Sequence, residues 1–182
     1  MRFEPPTGGP YDEGAAVSEQ GTSHQDRQRK VHDLIRKSRI AMLTSVEPDG
    51  RLVSMPMATQ DVEFDGRVWF IAERDSQKVR NIAHNPQVNV TYSGGGSWVS
   101  LSGEASVLDD VDKLAELWGT FTDAWLEGGP ENPNNVLIEV VGTSAEYWDT
   151  PGSKVVQLAN LVKAKVTGDR YDGDNEAVEL RR

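Results

Sequence analysis

Cysteine is absent from the 182 residues of this chain. Disulfide bonds, thiolate nucleophiles and cysteine-based metal sites are therefore excluded. The histidines His24, His32 and His84 are scattered, and none has a second metal ligand at a suitable spacing, so we expect no metal site. Apolar runs long enough for a membrane-spanning helix or a secretory signal are also missing. These absences favour a cytoplasmic protein without a membrane segment.

Basic residues are scarce, with 19 Lys and Arg against 29 Asp and Glu, which gives a net charge of -10. Nucleic acid binding requires a broad basic surface and an anionic membrane would repel this charge, so neither is an expected partner. A single small anion can still bind where backbone N–H groups and a lysine dominate the local field. The length suits one domain with a substantial core.

Composition divides the chain into three segments. Residues 1–24 are rich in Gly, Pro, Ser, Glu and Gln, which predicts a disordered arm. Residues 25–168 carry the periodic apolar patterns of one folded domain, including helices over residues 25–37 and 155–166. Residues 169–182 contain Asp, Gly and Glu and are expected to form a frayed tail.

Turn signals separate short apolar runs that predict strands. Glu47-Pro48-Asp49-Gly50 is typical of a hairpin turn, Pro56 suggests an edge strand or a bulge, and Gly103 predicts a bulge or sharp bend. The first links are too short for helical crossovers, so the strands should be antiparallel. The expected strands span residues 40–46, 52–62, 68–72, 88–92 and 98–108, and a broken sixth strand covers 136–141 and 145–148. This pattern predicts a mainly β (α+β) fold: a small six-stranded antiparallel barrel with flanking helices.

Two further helices are expected between the strands. A short helix over Ser76–His84 stops before Pro86, because the residue before proline avoids the helical region. A longer amphipathic helix begins at Asp109-Asp110 and continues to Trp125. Its apolar stripe, which includes Trp118 and Trp125, is interpreted as core or dimer contact and not as a ligand site.

The short helix has the features of a phosphate site. Its N-terminus presents unpaired N–H groups and a partial positive charge, both of which favour an anion. Ser76 can cap the helix and donate a hydrogen bond, and Lys78 adds a full charge. Capped helices with a lysine in the first turn are common, however, so the order of the surrounding elements decides the interpretation.

That order resembles the pyridoxamine 5′-phosphate oxidase-like flavin-binding split barrels, in the group named after general stress proteins. The resemblance covers roughly residues 28–168, and its motifs are specific in their combined order and spacing. They are Ala41-Met42-Leu43-Thr44-Ser45, Asp49-Gly50, Pro56-Met57-Ala58-Thr59, Gly66-Arg67-Val68-Trp69-Phe70, Ser76-Gln77-Lys78, Asn85-Pro86, Val99-Ser100-Leu101-Ser102-Gly103-Glu104-Ala105 and Glu146-Tyr147-Trp148.

The resemblance implies a six-stranded split β-barrel that forms a homodimer with two FMN sites between its subunits. Ser76 and Lys78 would hold the FMN phosphate. The strand segment beside the isoalloxazine and ribityl groups would consist of Met55, Pro56, Met57, Ala58 and Thr59. Backbone contacts would come from Trp69, Phe70 and Ile71, and the other subunit would contribute Trp98 and Trp148.

Two departures from the family pattern affect the expected chemistry. Met55 stands where family members often carry a phosphate-binding arginine, so Arg51 or Arg74 is a candidate substitute. Trp148 is followed by Asp149-Thr150-Pro151-Gly152-Ser153-Lys154, and not by the cationic run that grips substrate in true pyridoxamine-phosphate oxidases. The vitamin B6 reaction is therefore not expected.

The function predicted is that of an FMN-binding general stress protein acting as a flavin-dependent oxidoreductase on an unidentified small substrate. No side chain stands out as an acid or base, so no catalytic residue is named. Two alternatives remain open: a deazaflavin-dependent reductase with the same fold, and a non-enzymatic flavin carrier or sensor. The missing substrate run slightly favours the carrier over any named enzyme.

Overall fold

A computed structural model describes residues 24–149, apart from Asp61 and Glu63, and residues 174–180. The predicted arm (all but its last residue) and the predicted helix over residues 155–166 lie outside this part of the chain. The elements, in chain order, are α1 (His24–Ile35), β1 (Ile40–Val46), β2 (Leu52–Ala58), β3 (Arg67–Glu73), α2 (Gln77–His84), β4 (Gln87–Gly94), β5 (Ser97–Leu108), α3 (Val111–Leu117), α4 (Thr120–Asp123), β6 (Asn135–Asp149) and β7 (Asp174–Glu179).

The strands form one antiparallel sheet in the order β2-β1-β4-β5-β6-β3, with β7 added beside β6. The terminal strands β2 and β3 are not hydrogen-bonded neighbours, yet they contact each other because the sheet curls. This arrangement confirms the predicted split barrel with flanking helices. The opening between β2 and β3 positions the candidate site.

Alternation of side chains fills the interior of the curled sheet. Leu43, Phe70 and Val90 are fully buried there, with polar or half-exposed neighbours on either side along each strand. Helix α1, within the span that the sequence predicts to be helical, covers one end of the interior through Val31 and Leu34. The main core cluster is therefore enclosed by the sheet and α1, and a smaller second cluster consists of Leu114, Leu117 and Leu137.

Strands β2 and β6 differ from the prediction in detail. The second strand ends at Ala58, four residues before the expected end, and its exposed Pro56 lies on an edge strand as the proline pattern suggested. The sixth strand is continuous: opposite Ser102 and Gly103 the register skips Thr143, which makes the predicted bulge at Gly103. A Cβ on Gly103 would lie 2.4 Å from the Val141 carbonyl oxygen, so the close approach requires glycine.

The single amphipathic helix predicted to reach Trp125 is wrong. Asp110 caps α3 by accepting from the Lys113 N–H at 2.9 Å, but α3 ends at Leu117. Trp118 and Gly119 then adopt extended backbone before the short helix α4. Gly119 has a low helix propensity, so the helix does not continue through it. The Trp118 indole N–H donates to Asp123 at 3.1 Å, which connects the two sides of the break.

Strand β7 lies in the segment expected to be frayed. Its residues pair with Ser144–Asp149 of β6. Strand β3 pairs with β6 only as far as Val141, which leaves the remaining edge of β6 without a partner from β3. Strand β7 covers that edge, and an unpaired edge explains why an acidic segment without an apolar pattern becomes a strand.

Candidate functional site

The N-terminus of α2 carries an unsatisfied hydroxyl. Ser76 is the N-cap residue, but its side chain makes no capping hydrogen bond, contrary to the capping role predicted for it. Its Oγ atom is buried and has no hydrogen-bond partner within the described residues. A buried unpaired hydroxyl costs about 1–3 kcal/mol, so this position favours an additional acceptor or donor.

Side-chain contacts to β1 hold α2 in place. Asn81 donates from Nδ2 to the Ser45 hydroxyl at 3.0 Å, and both residues are buried. Gln77 donates to Glu47, which follows the last residue of β1. Val79 and Ile82 add apolar contacts with the core. The first-turn N–H groups of α2 therefore have a fixed direction, and they lack intrahelical partners as in any helix.

A cavity of about 290 Å³ lies between β2, β3 and α4, and we call it the lysine cavity. Its walls combine apolar side chains with one ammonium group from Lys78 and one carboxylate from Glu73. The predicted site residues among its lining are Pro56, Met57, Ala58, Ile71 and Lys78. The structure therefore brings together residues from three elements that the resemblance assigns to one ligand.

Other predicted site residues lie elsewhere. Phe70 is 0% exposed and belongs to the barrel core, so its side chain does not line the lysine cavity. Met55 is half-buried and pairs with Leu43 on β1. Trp69 packs against the second core cluster, and the Lys113 ammonium lies 5.6 Å from its ring centroid. Strand β3 is an edge strand, so one side of its backbone has no partner among the described strands. The backbone contacts expected from residues 69–71 remain a prediction.

Trp98 and Trp148 are cross-strand partners on β5 and β6. They are 47% and 37% exposed, and neither lines the lysine cavity. They lie on the outer surface of the sheet, which we call the open face. None of the described helices packs a buried hydrophobic cluster against it. Its residues include Ile40, Met42, Thr44, Asn89, Thr91, Ser93, Trp98, Ser100, Ser102, Glu146 and Trp148.

Hydrogen bonds between side chains order the polar part of the open face. Asn89 donates to the Ser100 hydroxyl at 2.8 Å and accepts from the Thr91 hydroxyl at 3.0 Å. Ile40 and Met42 are exposed apolar residues beside this network. Ile40 also lines the lysine cavity, so the open face and the cavity are continuous.

Neither arginine suggested as a substitute for the missing phosphate ligand is free. Arg51 bonds to Asp49 at 2.7 Å and pairs with Glu47 at 2.6 Å. Arg74 pairs with Asp109 and donates to the Pro133 carbonyl at 3.0 Å. The hydrogen bond from Arg74 holds the pKa of Asp109 below its usual value. Of the three predicted cations, Lys78 is the one that lines the lysine cavity.

A second cavity, of about 360 Å³, was missed by the sequence reasoning. We call it the arginine cavity, since Arg36 and Arg39 both line it. It shares four lining residues with the lysine cavity: Ala58, Gln60, Phe121 and Thr122. The available signal was the run Arg36-Lys37-Ser38-Arg39, an unusual concentration of positive charge in an acidic chain.

Asp149, at the position where the family's cationic run would begin, is held by the rest of the protein. It pairs with Lys30 of α1 and accepts from the Ser97 hydroxyl. Burial opposes its ionisation and is the largest single influence, but the hydrogen bonds from Lys30 and Ser97 and nearby positive charge outweigh it, so its pKa lies below the usual value. Asp149 is therefore a charged structural link between α1 and the end of β6.

Within the described part of the chain, no group of His, Cys, Asp or Glu has the arrangement of a metal site. The same residues contain no helix long and apolar enough to cross a membrane.

Known proteins share this architecture. The sequence model for the family described as "Pyridoxamine 5'-phosphate oxidase like" matches residues 26–172. Among curated proteins, protein bli-3 of Neurospora crassa is 26% identical over 155 residues, which cover 77% of this chain and 74% of that protein.

Two solved structures are similar in both fold and sequence. A protein called general stress protein 26 from Jannaschia sp. CCS1 superposes with a TM-score of 0.70 and 27% identity, over 85% of this chain and 99% of the other. The protein called general stress FMN/FAD binding protein from Xanthomonas citri superposes with a TM-score of 0.60 and 26% identity, over 71% of this chain and 92% of the other.

Proposed function

The chain belongs to the pyridoxamine 5′-phosphate oxidase-like family, and from this premise we propose that it binds FMN and acts as a flavin-dependent oxidoreductase on a small molecule. The observation that carries the proposal is the buried, unpartnered Oγ of Ser76 at the start of α2, the helix from which Lys78 lines the lysine cavity. The name of the Xanthomonas citri relative supports a flavin as the ligand.

The residues present fit a phosphate at this end of the site. A phosphate oxygen would accept from the Ser76 hydroxyl, which relieves its unsatisfied state. The Lys78 ammonium and the first-turn N–H groups of α2 would neutralise the remaining charge. Bound FMN would supply the electron or hydride transfer, and the chain's residues would hold it and exclude water.

The apolar part of the lysine cavity suits a planar ring. Pro56, Met57, Ala58 and Ile71 offer an apolar wall, and the exposed edge of β3 offers backbone groups. The volume of about 290 Å³ is at the lower limit of ligand pockets, so one protomer would enclose only part of FMN. The other walls would come from another chain.

We therefore include a homodimer in the proposal. The open face presents exposed Met42, Trp98 and Trp148, and Ile40 connects it to the lysine cavity. Apolar and aromatic side chains among ordered hydroxyl groups are typical of an interface core with polar surroundings. In a two-fold dimer, the open face of the partner subunit would close the lysine cavity.

Titration of FMN into the protein tests the phosphate assignment. Lys78→Ala should weaken binding by about 10- to 150-fold, because a charge-assisted hydrogen bond contributes about 1.5–3 kcal/mol. Arg29→Ala is the control, since it removes one positive charge from an exposed position on α1 that lines neither cavity. Equal dissociation constants for wild type and Lys78→Ala would contradict the assignment.

Two simpler measurements separate the remaining alternatives. The absorption spectrum of the purified protein distinguishes FMN from a deazaflavin, which absorbs at shorter wavelength. Anaerobic mixing with NADH or NADPH distinguishes an oxidoreductase from a carrier. Loss of flavin colour upon mixing supports the enzyme, whereas an unchanged spectrum with both donors supports the carrier or sensor.

Oxidation of pyridoxamine or pyridoxine phosphate should be slow. The segment after Trp148 begins with Asp149, which pairs with Lys30 and accepts a hydrogen bond from Ser97. This position therefore provides no positive charge to bind the substrate phosphate. An assay of FMN-loaded protein should show turnover far below roughly 1 per second, the lower end of ordinary enzyme rates. Turnover in that ordinary range would show that the vitamin B6 reaction does not need the missing cationic run.

A further inference from the structure

The arginine cavity lies at the junction of α1, β1, β2 and α4. Residues 36–39 connect α1 to β1, and their backbone is fixed by hydrogen bonds from Lys37 N to Leu34 O (3.2 Å) and from Ser38 N to Ile35 O (3.0 Å). The Thr59 N–H donates to the Arg39 carbonyl at 3.0 Å, which ties the end of β2 to this connection. Arg36 and Arg39 therefore line one cavity on a well-defined backbone.

Hydroxyl groups complete the polar lining. Ser38 is 5% exposed, and Thr122 of α4 is also buried. The Oγ1 atom of Thr59 is buried without a hydrogen-bond partner in the described part of the chain. Thr59 lines the arginine cavity, and an unpaired buried hydroxyl favours a ligand atom with which it can bond.

The charge around this cavity is opposite to that of the whole chain. The described lining residues include two guanidinium groups and no carboxylate, whereas the chain carries a net charge of -10. The lysine cavity, by comparison, has Glu73 as well as Lys78 on its walls. Guanidinium groups match the geometry of carboxylate and phosphate oxygens, so this lining selects an oxyanion.

A purely structural role accounts for only one of the arginines. Arg36 follows the C-terminus of α1, where positive charge is favourable. Arg39 is exposed, forms no ion pair among the described residues, and precedes β1 without capping a helix. Helix termination gives no reason for both side chains to line the same cavity.

We propose that the arginine cavity binds the oxyanion group of the small-molecule substrate, a carboxylate or a phosphate, through Arg36, Arg39 and the hydroxyl of Thr59. This inference rests on the proposed function, because the wall shared with the lysine cavity places the substrate next to the flavin ring. The substrate class is a small organic anion, bound at one end by the arginine cavity and reacting at the other.

Calorimetric titration of FMN-loaded protein with benzoate and with inorganic phosphate, at constant ionic strength, tests the proposal. The flavin absorption band provides a second readout, since an anion beside the ring should perturb it. Arg36→Gln and Arg39→Gln should each weaken binding of the preferred probe by roughly tenfold or more and leave FMN affinity unchanged. Arg29→Gln, an exposed change on α1, is the charge-matched control.

The probes also distinguish the source of the oxyanion. Preference for benzoate indicates a carboxylate substrate, and preference for phosphate indicates a phosphorylated one. Either preference supports the proposal if binding of the preferred probe is weakened in the arginine variants. Wild-type protein that binds neither probe at millimolar concentration overturns the proposal. Binding that is equal in wild type and in both arginine variants also overturns it.

Failure of the proposed function would give a different pattern. If FMN does not bind, the same titrations on the protein without flavin still report whether Arg36 and Arg39 bind an oxyanion. If FMN binding is lost in Arg36→Gln and Arg39→Gln but unaffected in Lys78→Ala, the flavin phosphate occupies the arginine cavity. That result overturns the inference about the substrate and reverses the proposed orientation of FMN. The proposal that the protein binds a flavin would still stand.

Discussion

The two faces of the sheet obey the same alternation but have different chemistry. The inner face is filled by fully buried aliphatic and aromatic side chains such as Leu43 and Phe70. The open face combines exposed Met42, Trp98 and Trp148 with ordered hydroxyl and amide groups. A face that only meets water does not need large apolar side chains, so this contrast is the reason for proposing that the open face contacts another chain.

The largest expected effect comes from comparing one aromatic residue from each face. Phe70→Ala should lower the free energy of unfolding by about 3–5 kcal/mol, because it leaves a cavity in the packed core. Trp98→Ala should change the stability of the separated protomer by less than about 1 kcal/mol. Urea unfolding at low protein concentration measures both, and equal losses would show that the two faces are packed alike.

A charge on the open face tests whether another chain covers it. Met42→Glu should weaken the proposed dimer by about 2–5 kcal/mol, because two-fold symmetry buries an unpaired carboxylate from each subunit. Sedimentation velocity should then detect a species of the chain mass of 20.1 kDa.

The control for that variant is Val111→Glu. Val111 is an exposed apolar residue at the start of α3, outside the open face. A carboxylate near a helix N-terminus is tolerated, so this variant should keep the assembly of the wild type. Wild-type protein that is monomeric at micromolar concentration, yet binds FMN, would remove the reason for assigning the open face to a partner.

Asp149 gives a smaller, pH-dependent effect at the end of β6. Asp149→Asn should cost about 1–3 kcal/mol at neutral pH, since it weakens charge-assisted hydrogen bonds with Lys30 and Ser97. The folded-state pKa of Asp149 is lowered, so its contribution is complete above the unfolded pKa of about 3.9. The contribution is lost as pH falls through the folded pKa.

Unfolding curves of wild type and Asp149→Asn across this range check the sign. The difference in unfolding free energy should be constant near neutral pH and should narrow below about pH 4. A difference that grows with acid would mean that Asp149 favours the protonated state in the folded protein.

The smallest expected effect concerns Met55. Its half-buried side chain lies on the inner side of β2 opposite Leu43, near the boundary between the two faces. If the missing arginine limits phosphate affinity, Met55→Arg should tighten FMN binding by about 1 kcal/mol. No gain in a folded variant would indicate that this position does not reach the phosphate, and circular dichroism would verify the fold.

Local sequence patterns predicted most of the barrel. Alternation and turn residues located β1 at its observed bounds and α2 to within one residue. These signals act over a few neighbours, and the structure follows them. The same periodicity overextended the helix after Asp110, because apolar spacing continues through Trp118 although Gly119 interrupts the backbone.

Features that depend on distant segments were not predictable from local patterns. Strand β7 forms on an edge that β3 leaves open, which requires knowledge of the sheet order. The arginine cavity joins Arg36 and Arg39 to Thr59 and Thr122, which converge only after folding. The lysine cavity was predicted in part because the resemblance supplied an arrangement that spacing alone cannot.

Strand β6 has a consequence for communication between sites. Its first half supports β3, which lines the lysine cavity of its own protomer, and its second half carries Trp148. In the proposed dimer, one strand would therefore support one ligand site through β3 and reach the other through Trp148. The bulge at Thr143 separates the halves, and coupling along packed elements requires two discrete arrangements. The bulge would absorb small shifts locally, so the two sites should fill independently and without cooperativity.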